Sequence, residues 1–468
     1  MARTTESVDA VIKAYDVRGV VGEQIDAEFV RDVGASFARL VRDSSTAHVA
    51  ASQVAVSQVV VGHDMRASSP ELSRAFADGV TSQGLDVVHI GLASTDQLYF
   101  ASGLLDCPGA MFTASHNPAK YNGIKMCRSG AKPVGQDTGL DTIKTELVDG
   151  VPSYDGETGS VTERDVLEEY AAFVRDLVDL SSMSGVKIAV DAGNGMGGHT
   201  VPAVFRSLPV TVEPLYFELD GTFPNHEANP LDPENLKDLQ RFVRETGADI
   251  GLAFDGDADR CFVVDEKGDP VSPSAVTGLV AERELGKEPG ATVIHNLITS
   301  RAVPELVSKL GGVPVRTRVG HSFIKQQMAD TGAIFGGEHS AHYYFRDFWG
   351  ADSGMLAALH VLAALAAQDR PLSELMASYE TYAASGEINS TVDDAAERTL
   401  AVLDAFSDRT VAVDRLDGVT VDLVDSAWFN LRASNTEPLL RLNVEARTSA
   451  EVDRLTDEIL GVVRAGLE

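Results

Sequence analysis

Three aspartates at alternate positions, Asp255, Asp257 and Asp259, follow an apolar run in LAFDGDADRCFVVD. In extended backbone this spacing aims the three carboxylates to one side. Like charges about 4 Å apart repel by roughly 4 kcal/mol at a surface-like dielectric, so the cluster calls for a cation or for raised pKa values. An oxygen-only ligand set suits Mg2+, which also keeps water or a phosphate oxygen in its shell. The main competitor is an EF-hand calcium loop, since aspartates stand at its positions 1, 3 and 5 and Glu266 at position 12. That loop needs glycine at its sixth position for a sharp turn, and Arg260 stands there instead. A solvated acidic turn is the other reading, and Arg260 beside the carboxylates weighs against it.

A second segment, MFTASHNPAKYNGIKM, puts Ser115 and His116 in a polar turn punctuated by Pro118. An exposed hydroxyl beside an imidazole can act as a nucleophile, although this is not the G-x-S-x-G elbow. A plain turn is the competing reading. Lys125 supplies a positive charge or a proton if the hairpin folds it back. Towards the C-terminus, LRASNTEPLLRL gathers Arg432, Ser434, Asn435 and Thr436 in one turn, with Arg441 following. A guanidinium fork, two hydroxyls, an amide and free backbone donors suit a phosphate dianion. In GGEHSAHYYF, the alternation of Glu338, Ser340 and His342 would point all three one way from an extended loop, a set able to bond vicinal hydroxyls. Gly193, Gly195 and Gly198 match the dinucleotide fingerprint, but no ribose-binding acid follows in a strand context. A tight strand-to-helix turn is therefore preferred to a nucleotide site.

The elements that must hold these loops alternate between strand and helix. Val59-Val60-Val61 precedes the helical pattern SPELSRAFADGVTSQG, and further strands are expected at KIAV before Asp191, at DIGLAF ending on Phe254, at 291–295 and at 313–317. This is an α/β pattern, in which ligands gather beyond the carboxyl ends of strands. TERDVLEEYAAFVRDLVDL is expected to be a long helix capped by Thr162, and TSAEVDRLTDEILGVVRAG to close the chain. Short strand-like runs between them, TVAV and GVTVDLV, point to a smaller α+β domain. The expected division is 1–160 with the serine loop, 161–265 with the aspartate loop, 266–385 with the Glu338 loop and 386–468 with the Arg432 loop.

A length of 468 residues suits several domains, and 44% hydrophobic against 23% charged residues is enough apolar surface to fold them. The formal net charge of -31 argues against nucleic acid or an anionic membrane as partner. It also means that an arginine in a polar loop has a purpose. Cys107, Cys127 and Cys261 share no metal-ligand spacing and are too few for a disulfide framework. With no apolar run of membrane-spanning length, a soluble cytoplasmic protein is expected.

Taken together, TASHNP (113–118), DGDADR (255–260), GEHSAH (337–342) and RASNTEP (432–438) resemble, in order and spacing, the four active-site loops of the α-D-phosphohexomutase family. KAYDVRG, VGHDMR, TRVGHSFIK and YYFRDFWGADSGM look most like its phosphomannomutase/phosphoglucomutase branch. The resemblance implies four domains around a central cleft, three related α/β domains and a smaller C-terminal α+β domain. It implies that Ser115 is phosphorylated and that Asp255, Asp257 and Asp259 bind Mg2+ with an oxygen of that phosphoryl group. Arg260 would steady the transferring phosphate, and His116 and Lys125 would serve proton transfer. Glu338 and Ser340 would grip sugar hydroxyls. The Arg432 loop with Arg441, Tyr15, Arg18, His321 and nearby His342 would hold the other phosphate. The expected ligands are hexose phosphates, with a hexose 1,6-bisphosphate as intermediate and activator, acting on a monomer or homodimer. An amino-sugar phosphate mutase, a metal-dependent sugar-phosphate phosphatase and a non-catalytic binding protein are the alternatives. His63, Asp96 and His339 depart from the family pattern.

Overall fold

The computed structural model describes residues 3–47, 56–433 and 439–465 and divides the chain into two units, residues 1–271 with 340–373 and residues 272–339 with 374–468. In the first unit, Val59, Val60 and Val61 lie in the strand Gln58–His63, between the parallel strands Asp86–Leu92 and Gly109–Phe112. All three valines are buried, as a strand covered on both faces requires. The sheet runs on from Gly109–Phe112 through the antiparallel strands Tyr121–Arg128 and Val17–Val20, so the serine loop connects two neighbouring strands. At its other edge stands Val161–Glu163, parallel to Asp86–Leu92.

That edge strand corrects the helix expected from Thr162. Thr162 is in the sheet, and the helix covers only Leu167–Asp176, its Leu167 N–H donating to Asp165 Oδ1 at 2.9 Å rather than to Thr162. The Thr-x-x-Asp pattern is real, but the main-chain pairing available beside Asp86–Leu92 prevails over a local cap.

A second sheet of the same unit has the order Pro270–Val271, Cys261–Asp265, Ile250–Phe254, Val186–Asp191, Val210–Leu215. Ile250–Phe254 and Cys261–Asp265 form an antiparallel hairpin with Phe254 opposite Cys261, so the aspartate loop is its turn. The short antiparallel pair Tyr343–Phe345 and Ala351–Asp352 leads into the buried helix Gly354–Ala366.

In the second unit, the parallel strands Val313–Thr317, Thr292–Asn296 and Phe335–Gly337 are accompanied by the helices Pro273–Lys287, Ala302–Lys309 and His321–Thr331. The C-terminal part is an antiparallel sheet in the order Ala383–Thr391, Leu439–Ala446, Trp428–Ala433, Val419–Leu423, Thr410–Asp414. The closing helix Ser449–Val463 packs its Val452, Leu455, Ile459 and Val463 into that sheet's core and is capped reciprocally by Thr448 and Glu451. Among the described residues no helix is long and apolar enough to cross a membrane.

Two glycines let the helices Ala27–Ala47 and Ser69–Ser82 cross in backbone contact over the first sheet. A Cβ on Gly79 would lie 1.9 Å from the Arg31 carbonyl oxygen, and one on Gly34 2.3 Å from that of Phe76. Gly79→Ala is expected to lower stability by about 2–3 kcal/mol through overpacking. Gly461→Ala, in a helix with open space around it, should be neutral or gain up to about 1 kcal/mol. Urea unfolding of both variants measures the contrast, and equal midpoints would refute the close crossing.

Candidate active site

Ser115 follows the strand Gly109–Phe112 in a turn closed by the Asn117 N–H on the Ala114 carbonyl. Its φ of 48° is in the left-handed region, which a residue with a Cβ adopts only when its surroundings hold it there. The hydroxyl is buried rather than exposed as expected. It donates to Asp255 Oδ2 at 2.9 Å and lies 3.2 Å from His116 Nδ1.

The aspartate loop converges by a different route from the one its alternation suggested. It is a tight turn, with the Ala258 N–H on the Asp255 carbonyl and Ala258 itself at φ 58°. The three carboxylates still meet, with one oxygen of each within 4.8 Å of the others. A Cβ on Gly256 would lie 2.4 Å from the Ser115 carbonyl oxygen, so only glycine lets the two loops approach this closely. The glycine-rich turn that mimics a nucleotide fingerprint serves the same contact. The Met196 N–H donates to the Gly256 carbonyl at 2.9 Å, and a Cβ on Gly195 would lie 2.7 Å from that oxygen.

The charges around this junction are arranged in pairs. Arg260 donates from Nε to Asp255 Oδ2 at 2.9 Å and from Nη2 to His116 Nδ1 at 2.5 Å. Guanidinium only donates, so His116 Nδ1 keeps its lone pair, and burial together with Arg260 and Arg18 pushes the imidazole down to about 2. Lys125, opposite Met111 on the next strand, reaches Asp257 Oδ2 at 2.7 Å and Asp259 Oδ2 at 2.5 Å. Burial would lower its pKa, but the two carboxylates overcome that and hold it protonated well above its usual range. Burial pushes Asp255 up to about 7 against the pull of Arg260. Burial acts on Asp257 in the same sense, but Lys125 leads the interactions that bring it below the ordinary carboxylate range.

Among the described residues, Asp257 Oδ1 and Asp259 Oδ1 are buried without a hydrogen-bond donor. Buried acceptors are rarely left so. Two such oxygens beside Asp255 form the hard, all-oxygen donor set that Mg2+ takes, so the residues fit the ion.

Two residues that sequence reasoning did not select complete this arrangement. Thr95, first in the helix Thr95–Leu104, donates from Oγ1 to Asp257 Oδ2 at 2.6 Å, and its N–H donates to the Asp257 carbonyl at 3.0 Å. Asp96 beside it is fully buried and accepts from Tyr170 Oη at 2.6 Å, from Ser353 Oγ at 2.7 Å and from Ser94 Oγ. Ser353 in turn caps the helix Gly354–Ala366, and a Cβ on Gly354 would lie 2.6 Å from the Arg260 carbonyl carbon. The cap residue Ser94 was readable from sequence; the partners of Thr95 and Asp96 were not.

Residues 338–342 form a turn with Ala341 at φ 63°, not the extended loop expected, and the unit boundary falls within it. In the first unit, Ser340 Oγ lies 3.1 Å from His342 Nδ1, and His342 Nε2 lies 3.8 Å from Asp259 Oδ1, beside the aspartates. Arg18 bonds Asn117 Oδ1 and Asp16, both at 2.6 Å, and Tyr15 is half-buried just before that strand. In the second unit, Glu338 Oε1 accepts from the Gly320 N–H at 3.2 Å and from Asn296 Nδ2 at 3.3 Å. Arg432 and Arg441 face each other across paired strands and share Glu387, at 3.3 and 3.4 Å. Among the described residues, the Nε of each is buried without an acceptor, which suits an anion. Glu387 was not anticipated. Ser434, Asn435, Thr436 and the side chain of His321 lie outside the described residues.

Four family models match in succession: phosphoglucomutase/phosphomannomutase alpha/beta/alpha domain I at residues 9–149, domain II at 168–268, domain III at 272–382 and the C-terminal domain at 387–462. The chain is 38% identical over 456 residues to a protein of Xanthomonas campestris named "Phosphohexose mutases", covering 97% of this chain and 98% of that one. It is 39% identical over 445 residues to a phosphomannomutase of Escherichia coli K12, covering 93% and 94%. A crystal structure of a phosphoglucomutase/phosphomannomutase family protein from Burkholderia thailandensis superposes with a TM-score of 0.87 at 33% identity, over 99% of this chain and 98% of that one.

Burial pushes the Asp96 carboxyl up to about 6, against the hydroxyls that bond it. A raised folded-state pKa means that the folded protein binds this proton more tightly than the unfolded chain does. The stability contributed is complete below the ordinary value of 3.8 and lost as pH rises through about 6. Asp96→Asn has no such proton, so its stability relative to the native chain should improve by on the order of 1 kcal/mol between about pH 5 and about pH 7.5. Paired urea titrations at the two pH values give the difference, and a gap independent of pH would refute the protonation.

Proposed function

The chain belongs to the phosphoglucomutase/phosphomannomutase family, and from that premise we propose that it interconverts the 1- and 6-phosphates of mannose and glucose through a phosphorylated Ser115. The observation that carries this reading is the junction of the two loops: the Ser115 hydroxyl rests on Asp255, the carboxylate that Arg260 also grips. The names of the relatives support the substrate class. We carry the division at 160, 265 and 385 as part of the same reading, one loop to each domain.

Phosphoryl transfer depends on positioning and charge neutralisation more than on covalent chemistry by the protein. When bound by Asp255, Asp257, Asp259 and an oxygen on Ser115, Mg2+ supplies neutralisation of the phosphoryl oxygens. Arg260 is already oriented by Asp255 and adds a second positive charge beside Ser115 Oγ. His116, kept neutral, lies 3.2 Å from that oxygen with its Nδ1 lone pair engaged by Arg260, and its part in proton transfer is carried over from the family loop. Lys125, kept charged, suits the donating end.

The first transfer breaks the Ser115 Oγ–P bond as a sugar hydroxyl forms its own bond to phosphorus, giving a hexose 1,6-bisphosphate. After reorientation, the other phosphate returns to Ser115. Glu338 and Ser340 would bond sugar hydroxyls. Arg432 and Arg441, set side by side by Glu387 in the second unit, would hold the phosphate not being transferred, with His321, Ser434, Asn435 and Thr436 of the same unit; in the first unit, Tyr15, Arg18 and His342 are carried over as phosphate-binding residues.

A coupled assay of mannose 1-phosphate and glucose 1-phosphate with Mg2+ and a trace of the 1,6-bisphosphate tests the reading. The wild-type chain should convert at least one sugar and carry one phosphoryl group on Ser115 by intact mass. Ser115→Ala should lose at least about 1,000-fold in turnover, as expected for removing a covalent carrier. Release of inorganic phosphate that survives Ser115→Ala would point to the phosphatase instead. Asp257→Asn should weaken Mg2+ binding by about 10-fold or more while leaving the fold intact; titration calorimetry reads that loss independently of activity.

A further inference from the structure

The largest side chain in the first unit with almost no exposure is Arg66, in the loop between the strand Gln58–His63 and the helix Ser69–Ser82. A guanidinium offers five N–H donors in a fixed fork, and here each has an acceptor. Nε donates to Asp64 Oδ2 at 3.2 Å. Nη1 donates to the carbonyls of Pro118 and Tyr121, both at 3.0 Å. Nη2 donates to the carbonyls of Ser115 at 2.9 Å and Asn117 at 2.7 Å. Four of the five bonds therefore end on the main chain of the serine loop.

The rest of the surroundings fix Arg66 itself. Asp64 is fully buried, accepts from the Arg66 N–H at 3.0 Å and from Ser69 Oγ at 2.6 Å, and donates its own N–H to the Phe112 carbonyl at 2.9 Å. The Phe223 ring lies 5.1 Å from the guanidinium carbon, and a Cβ on Gly221 would lie 2.6 Å from the Arg66 Cα. The Ser115 carbonyl is thus held by Arg66 on the same oxygen against which Gly256 packs. A left-handed serine is strained and persists only where its surroundings over-determine it. The fork supplies that determination.

We propose that Arg66 is a positioning residue: its guanidinium clamps four carbonyls of the serine loop and so sets the left-handed backbone of Ser115 that presents Oγ to Asp255. This rests on the reading of Ser115 as the phosphoryl carrier. Arg66 touches no reacting atom, so it should govern turnover rather than substrate affinity. Lysine keeps the charge but offers three donors from a single point and cannot span the four carbonyls.

The test uses the full chain with Mg2+ and compares wild type, Arg66→Lys, Arg66→Ala and Phe223→Leu. Arg66→Lys should keep the far-ultraviolet circular dichroism of wild type. Its kcat should fall about 100-fold, the scale of an ångström-level misplacement, with KM changed by less than about 3-fold. Phosphorylation of Ser115 by the 1,6-bisphosphate, followed by intact mass, should slow by the same factor. Millimolar guanidinium, far below denaturing concentration, should restore Arg66→Ala by about 10-fold or more and leave wild type unchanged. Should Arg66→Ala not fold, Phe223→Leu keeps every donor and carries the test. It should lower kcat by about 3- to 10-fold at constant KM, because the fork loses its support on one face. A kcat for Arg66→Lys within about 3-fold of wild type, or a loss expressed in KM, overturns the inference. Activity that survives Ser115→Ala refutes the phosphoserine reading, whereas a dead Ser115→Ala beside a fully active Arg66→Lys refutes only the role of Arg66.

Discussion

One backbone contact governs the first unit: the serine loop of one sheet and the aspartate turn of another meet with Gly256 against the Ser115 carbonyl. A side chain at position 256 would force the two loops apart, and the 2.9 Å bond from Ser115 Oγ to Asp255 would be lost with it. Much of the surrounding structure holds that contact from both sides. Arg66 and Thr113 fix the serine loop, the second with its Oγ1 on the Ser115 N–H. Met196 fixes the aspartate turn through the Gly256 carbonyl, and Thr95 fixes it through Asp257.

The electrostatics follow the same economy. In a chain of net charge -31, three cations of the first unit are paired with carboxylates at this junction. Arg66 neutralises Asp64, Arg260 grips Asp255, and Lys125 joins Asp257 to Asp259. Each positive charge is held by hydrogen bonds before any phosphate arrives, so little reorganisation is left for the moment of transfer. In the second unit Glu387 does the equivalent for Arg432 and Arg441, balancing part of their repulsion while leaving a donor on each.

Three of the four loops contain positions where local rules are broken. Ser115, Ala258 and Ala341 have left-handed backbone without being glycine. Asp96 is a buried carboxyl with hydroxyls rather than a cation as partners. Such departures are maintained only by dense surroundings, here the helix starts at Thr95 and Gly354 and the fork of Arg66.

The sequence by itself determined the inventory and the local elements. Alternation, turn residues and caps placed Val59–Val61, Ile250–Phe254 and the closing helix correctly, because the periodicity of an element is a property of neighbouring residues. Four polar loops were legible for the same reason, each a short run of unusual chemistry. The geometry was not legible. Alternate aspartates were expected to converge by extension and do so by a tight turn, and Thr162 was expected to cap a helix and pairs in a sheet. Ser115 meets Asp255 across 140 positions, and Thr95 meets Asp257 across 162. Arg66 stands in the family-like segment VGHDMR with no role readable from sequence, yet it is almost fully buried with five acceptors. Only the tertiary structure decides these contacts, because they depend on the packing of whole sheets, and no local pattern records which distant carbonyl will face a given donor.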